Sequence, residues 1–210
     1  GSGDDTASYA GAAAITARGV SGVGFGGTQT DITGVYVNLF ITADSDGFIV
    51  QSSTNNGDAA GDKLKNIENL TGSDYRDVLI GDNADNVLRG GDGNDFIDGN
   101  EGDDTLYGGA GDDIFVASAA SGTVLAGADL VTDFTAGDKI QLQLTQTQRD
   151  AIDAITGDAA KLAELKKVIE IAAEDADGES DTNDTVLTNK GVDGAVGGGD
   201  DTVLMVLEDY

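Results

Sequence analysis

The sequence predicts a mainly β fold, a parallel β-roll (β-solenoid) with a small helical and β-strand cap at its C-terminal side. Three columns of an internal repeat predict the roll. From Gly72 to Val116 the chain reads GSDYRDVLI, GDNADNVLR, GGDGNDFID, GNEGDDTLY and GGAGDDIFV, a period of nine residues. Position 1 is Gly in all five copies, position 6 is Asp, Asn, Asp, Asp, Asp, and position 8 is Leu79, Leu88, Ile97, Leu106 and Phe115. A Gly-rich six-residue turn followed by an x-apolar-x strand buries nothing alone, so the stack of units is what folds. The central side chain of each strand points inward, and stacked copies form a ladder at roughly 4.8 Å spacing. An acidic, Gly-rich disordered linker has a similar composition, but it gives no reason for an apolar residue at every ninth position.

The turns carry the chemistry. A six-residue turn that aims several carbonyls at one point needs φ > 0 at some positions, which Gly reaches without steric cost. Calcium is a hard cation that takes six to eight oxygens, so carboxylates and backbone carbonyls suffice, and this chain has no His and no Cys. GGDGNDFID and GGAGDDIFV follow the motif GGxGxDxUx almost letter for letter, and the block resembles the RTX (repeats-in-toxin) family. That resemblance implies two nonapeptides per turn of the roll, with several calcium ions held between loops two repeats apart. The loops of Gly72, Gly90 and Gly108 then line one side and those of Gly81 and Gly99 the other, giving three complete sites between loops. The residues so implied are Asp77, Asp95 and Asp113 on one side and Asn86 and Asp104 on the other. Asp82 and the loop positions Gly90, Gly91, Gly93, Gly99, Gly102, Gly108, Gly109 and Gly111 complete the set. Asn86 keeps an oxygen but lacks the charge of Asp, which weakens the site it shares with Asp104. The first two loops, GSDYRD and GDNADN, lack the second and fourth glycines, so the sites from Gly90 to Asp113 are the best formed.

Over the whole chain, 210 residues allow one elongated domain or two small ones. The sequence divides into a strand-rich lead-in over 1–66 that runs into the roll, the repeats and a closing segment over 67–144, and a cap over 145–210. There are 39 acidic against 11 basic residues, a formal charge of −28, with 32 Gly and no Pro. Such a chain repels itself until cations neutralise it, which makes calcium a folding ligand. The sign of the charge argues against nucleic acid, and no apolar run approaches the ~20 residues of a membrane span. Metal staples replace the disulfides usual in small secreted domains. The chain opens on Gly1 rather than Met and reads as a piece of a longer protein, so a missing leader carries no weight.

In the lead-in, GSGDDTAS looks like the tail of a further nonapeptide, with Asp5 in the acidic column. Val35, Val37, Leu39 and Ile41 alternate through GVYVNLFI and predict a half-buried strand. FIVQSS, from Phe48, predicts a second strand after the turn signal ADSDG. Segments like GVYVNL at Gly34 and IENLTGS at Ile67 often lead into the repeats of RTX proteins. Gly22, Gly24 and Gly27 satisfy the dinucleotide pattern GxGxxG, but no helix-forming stretch follows, so they read as a loop. Asp44 to Gly47 reads as a turn rather than an ion site.

Beyond Val116 the phrase ADLVTDFTAGDKIQLQL, from Ala128 to Leu144, resembles the DxxxDFxxGDKIxL segment that follows the repeats in serralysin-type and other RTX proteins. It implies Val131 and Phe134 packed on the end of the roll and a strand through Ile140, Leu142 and Leu144. Asp129 and Asp133 there read either as a further ion site against the last loop or as solvated turn carboxylates. Two helices follow: QRDAIDAIT, capped by Thr145 or Thr147, and AAKLAELKKVIEIAAE, capped by Asp158. Leu162, Leu165, Val168, Ile169 and Ala172 make an apolar stripe suited to covering the open end of the roll. SDTNDTVLT and GGGDDTVLM share a DTVL core and predict two strands. DADGESD at Asp175 lacks the Gly and Glu of an EF-hand, leaving Asp175, Asp177 and Asp181 as a turn or an irregular calcium loop.

Without His or Cys there is no zinc-protease motif, His-based triad or thiol nucleophile. The patterned acids are accounted for by calcium, so the expectation is a non-enzymatic module. The resemblance implies the C-terminal part of a secreted, extracellular bacterial protein exported by type I secretion machinery. Such a chain stays unfolded in a low-calcium cytoplasm and folds outside. The alternative is an adhesin or surface-layer module that uses the roll as scaffold for a carbohydrate or cell-surface ligand, with Arg18 to Thr30 and Gly191 to Gly199 as the places for its site.

Overall fold

The computed structural model describes residues 4–14, 33–41, 43, 45–51, 57–118, 127–143, 169–174, 184–189 and 202–207. The lead-in supplies β1 (Thr6–Ser8), β2 (Tyr36–Asn38), β3 (Ile49–Val50), a 3-10 turn (Gly57–Ala59), β4 (Lys63–Leu64) and β5 (Asn69–Thr71). The repeats supply β6 (Val78–Ile80), β7 (Val87–Asp92), β8 (Phe96–Asp98), β9 (Thr105–Ala110) and β10 (Ile114–Ser118). The remaining strands are β11 (Asp129–Val131), β12 (Lys139–Gln143), β13 (Ile169–Glu174), β14 (Asp184–Asn189) and β15 (Thr202–Leu207).

Each nonapeptide gives one strand, and successive strands alternate between two sheets. The first sheet runs β1-β5-β7-β9-β11-β15-β14-β13 and the second β12-β10-β8-β6-β2. Pairing is parallel throughout the roll, with Leu88 opposite Leu106 and Leu79 opposite Ile97, so one coil takes two nonapeptides. The position-8 column forms the core: Leu70, Leu88, Leu106 and Val131 from the first sheet meet Val37, Leu79, Ile97 and Phe115 from the second, all fully buried. Each such side chain contributes roughly 1.5–3 kcal/mol. β1 continues the first sheet in register, with Asp5 level with Glu68, and the Glu68 and Asn69 amides both donate to the Asp5 carbonyl. That is the place the acidic column assigns to Asp5.

At the closing end, Val131 is buried and Phe134 packs on the core with its ring 6.0 Å from that of Phe115. Ile140 and Leu142 also face the core. β14 and β15 are the two DTVL segments, and they join the first sheet beside β11. Three expectations need correction. Ile41 is 37% exposed, because the strand ends at Asn38, whose side-chain oxygen accepts the Phe40 amide and turns the chain. The strand expected over FIVQSS is two residues long; Gln51 instead turns its buried amide onto the edge of β2, accepting from Asn38 N–H and donating to Asn38 C=O. Ile169–Glu174 is a strand, paired antiparallel with β14 over six residues. Ile169 and Ile171 alternate as well as they fit a helical stripe, and the available strand partner decides between the two. The rest of the expected helical region, up to 168, lies outside the described residues.

The turns stack backbone on backbone. Gly109 has φ of +95° and Gly111 +148°, and a Cβ on either would run into the carbonyl of Gly91 or Gly93 one coil below. In the fourth repeat Asn100 takes the position-2 role at φ +72° and donates its side-chain amide to the Gly81 carbonyl. Gly109→Ala should therefore cost about 2 kcal/mol or more, since the left-handed conformation alone costs ~1–2 kcal/mol. Urea unfolding in saturating calcium would measure it, and an unchanged midpoint would show that these turns are not packed as described.

Candidate metal centre

The six-residue turns form two rows, one at each end of the strands. In the first row Asp77, Asp95, Asp113 and Asp138 stand one above another. The amide of Asp77 donates to Asp95 Oδ1, that of Asp95 to Asp113 Oδ1, and that of Asp113 to Asp138 Oδ1, each at 2.8 Å. In the second row Asn86 N–H donates to Asp104 Oδ1 at 2.7 Å and Asp104 N–H to Asp129 Oδ1 at 3.3 Å. One carboxylate oxygen at each rung thus closes the backbone of the coil below. The other oxygen, Oδ2 of Asp95, Asp104 and Asp113, is buried and has no hydrogen-bond partner. A buried acceptor left in that state is costly.

These oxygens explain the first glycine of the repeat. Each lies over position 1 of its own nonapeptide, so a Cβ on Gly90, Gly99 or Gly108 would overlap Asp95, Asp104 or Asp113 Oδ2. At Gly90 the carbonyl oxygen of Gly108, from the next coil, crowds the same place. Acceptor oxygens converging from two coils suit a hard divalent cation. Among the described residues no three acidic side chains close on one point, so an ion here has to draw on loop carbonyls as well.

The ends of the rows are built differently. Asp77 accepts the Val35 and Ser73 amides, each at 2.5 Å, and both its oxygens accept the Ser73 hydroxyl. Asn86 accepts the Asp82 amide at 2.8 Å and donates Nδ2 to the Glu68 carbonyl at 2.7 Å. Asp82 Oδ1 accepts the Ala84 amide inside its own loop. Ser73 and Asp82, standing where the later loops have Gly91 and Gly109, thus lock their turns with side-chain bonds. Asp133 spends both oxygens on the amides of Gly108 and Gly109. Asp129 is buried above Asp104 as the next rung of that row.

Sequence reasoning missed Asp138, the rung above Asp113. It also missed a column at position 5, where Asp103 N–H donates to Asp85 Oδ1, Asp112 N–H to Asn94 Oδ1 and Ala128 N–H to Asp103 Oδ1, at 3.0, 3.1 and 3.0 Å. Here the lower coil accepts from the upper, the reverse of position 6. The signal was the run Arg, Asp, Asn, Asp, Asp at position 5. The glycine pattern at Gly22 to Gly27, the Asp175 to Asp181 phrase and the two segments named for a sugar or surface ligand lie outside the described residues.

Electrostatics follow from burial. Desolvation pushes Asp95 up to about 9, opposed by the Asp77 amide and reinforced by the charges of Asp77 and Asp113. Burial likewise pushes Asp129 up to about 9, with the neighbouring charge of Asp104 adding to it. Asp77, Asp104 and Asp113 are raised to about 6, again chiefly by desolvation. These carboxylates need either a proton or a cation in place.

Residues 66–97, 80–115 and 90–124 match the RTX calcium-binding nonapeptide repeat (4 copies). Compared with curated proteins, the chain matches none. The glycine that leaves room for the buried carboxylate, the Asp that bridges coils and the apolar core residue recur together through this stretch, and residues 66–124 are RTX calcium-binding nonapeptide repeats.

Proposed function

We propose that this chain is a calcium-driven folding module that supports type I secretion and extracellular folding of its parent protein. The observation that carries the reading is the set of buried, partnerless oxygens on Asp95, Asp104 and Asp113 in a chain of net charge −28. Asp95, Asp104 and Asp113 would hold the ions, with loop carbonyls such as that of Gly108 completing them. Asp77, Asn86 and Asp133, satisfied by protein donors, seal the rows. Bound calcium supplies the positive charge that lets these carboxylates be buried ionised. Inside a bacterium, where calcium is scarce, the acids repel and the chain stays extended; outside, millimolar calcium meets the weaker, extracellular class of site and binding becomes folding. The module does no catalysis of its own: the patterned acids are taken up by ladders, and there is no His or Cys. Among the described residues no helix is long and apolar enough to cross a membrane.

The test is a calcium titration followed by circular dichroism, with magnesium as control. The expected result is a cooperative change from coil to β structure at roughly 10⁻⁴ to 10⁻³ M calcium, and none with magnesium. A chain equally folded in chelator at neutral pH would sink the folding-switch reading.

A further inference from the structure

The five loops divide into two kinds at their second position. In the loops of Gly90, Gly99 and Gly108 that position is Gly91, Asn100 and Gly109, with φ of +114°, +72° and +95°. The left-handed backbone turns its amide away from position 6: Asn100 N–H donates to Asp98 Oδ1 at 3.1 Å and Gly109 N–H to Asp133 Oδ2 at 2.9 Å. In the loops of Gly72 and Gly81 the second position is Ser73 and Asp82, and neither has a positive φ. Their amides point at position 6, Ser73 N–H to Asp77 Oδ2 at 2.5 Å and Asp82 N–H to Asn86 Oδ1 at 2.8 Å. The pocket is otherwise the same. On Gly72, Gly81 and Gly90 a Cβ would meet the position-6 oxygen of its own loop and the carbonyl of the glycine one coil above, which is Gly90, Gly99 and Gly108. In the first two loops that oxygen already accepts an amide, and at Asp77 the Ser73 hydroxyl as well. In the third, Asp95 Oδ2 has no partner, and Asp104 and Asp113 share that state. Handedness at position 2 and a partnerless oxygen at position 6 therefore go together in all five loops.

We propose that position 2 decides which loops take calcium: Gly91, Asn100 and Gly109 leave their loops open to an ion, whereas Ser73 and Asp82 close theirs with a built-in donor. The inference rests on the calcium reading above and redistributes the ions within it. An N–H aimed at the position-6 oxygen places its partial positive charge where a cation would sit. An ion could enter only by displacing it, which would leave a buried donor without an acceptor. Of the three sites expected between loops, those over Gly72 and Gly81 are thus closed and the one over Gly90 is open. The other two open oxygens, on Asp104 and Asp113, lie below the coil that carries Asp129 and Asp138. The calcium requirement accordingly belongs to the loops from Gly90 onward, while the first coil is held by hydrogen bonds of its own. The absent charge at Asn86 is then only part of why its loop takes no ion, because Asp82 closes it.

The number of ions can be read by linkage, since the slope of the unfolding free energy in urea against the logarithm of calcium concentration counts the ions released on unfolding. Ser73→Gly should raise that slope by one ion over the parent chain. Ser73→Ala, which keeps the amide and loses only the hydroxyl, should leave it where it is. A folded Ser73→Gly with the parent's slope would overturn the proposal. Should Ser73→Gly not fold, two neighbouring rungs of the same row decide. Just above the parent's folding midpoint, Asp95→Asn should lower the slope by one ion and Asp77→Asn should not change it, whatever either does to stability. Equal losses for the two would show that the Gly72 loop binds an ion despite its donors, and the proposal would fall while the calcium reading stood. A slope of zero in the parent chain would overturn the calcium reading and this inference with it.

Discussion

Asp95→Asn is expected to raise the calcium concentration at the folding midpoint by about tenfold or more, and Asp95→Ala to raise it further. The two substitutions separate two jobs. Asn keeps an oxygen to accept the Asp77 amide, so the ladder rung of 2.8 Å survives. What it loses is the charge on the buried oxygen over Gly90. An interaction with a charged group is worth about 1.5–3 kcal/mol, and each 1.4 kcal/mol is about tenfold in affinity. Ala removes the rung as well and leaves the Asp77 amide buried without an acceptor, a further cost of about 1–3 kcal/mol. Asp113→Ala should move the midpoint in the same direction. The control is Asp103→Asn: Asp103 is exposed at position 5, and Asn retains an acceptor for the Ala128 amide, so its midpoint should stay close to that of the parent chain. Calcium titrations followed by circular dichroism would show the contrast. Equal shifts for Asp95→Asn and Asp103→Asn would mean that the partnerless oxygen is not an ion ligand and that only bulk charge matters.

What could be read from the residues was whatever repeats at nine. The glycine, acidic and apolar columns led to the roll and to the position-6 residues Asp95, Asp104 and Asp113, while two nonapeptides per coil was implied by the RTX resemblance. The rows continue past the last clean repeat, and there the register was hidden. The rungs above Asp104 and Asp113 are 25 residues on, at Asp129 and Asp138, where within the repeats they are 18 on. The closing phrase is a degenerate further coil displaced by an insertion, with Asp133 and Phe134 where Gly108 and Gly109 stand one coil below. Sliding DLVTDFTAGDK by 25 onto DTLYGGAGDDI superposes Asp138 on Asp113, a signal that a search at fixed period passes over. Burial on the second sheet's outward face was also present in outline. The odd repeats end VLI, FID and IFV and the even ones VLR and TLY. Ile169–Glu174 was not legible in the same way, since six residues fit both periods and a partner strand decides.

Acid is expected to substitute in part for calcium. The ordinary carboxylate pKa is 3.8, whereas in the fold without ions Asp95 and Asp129 lie at about 9 and Asp77, Asp104 and Asp113 at about 6. The raised values mean that the folded chain binds more protons than the unfolded one between these limits. The stability these groups contribute is therefore complete below their unfolded pKa and is lost as pH rises, first through about 6 and then through about 9. In chelator the chain should be more resistant to urea at pH 5 than at pH 7.5. Calcium needs the ionised form, so protons compete with it, and affinity falls by about tenfold per pH unit for each proton displaced. The increment in urea midpoint that calcium adds should accordingly be large at pH 7.5 and shrink toward pH 5. Neutralising surface acids also relieves repulsion in so acidic a chain, and Asp95→Asn separates the two effects. Its side chain cannot titrate, so its chelated pH dependence should be flatter than that of the parent, while general charge relief is nearly unchanged. A calcium increment constant across this range, or an identical slope for Asp95→Asn, would show that the buried rungs are not where calcium and protons compete.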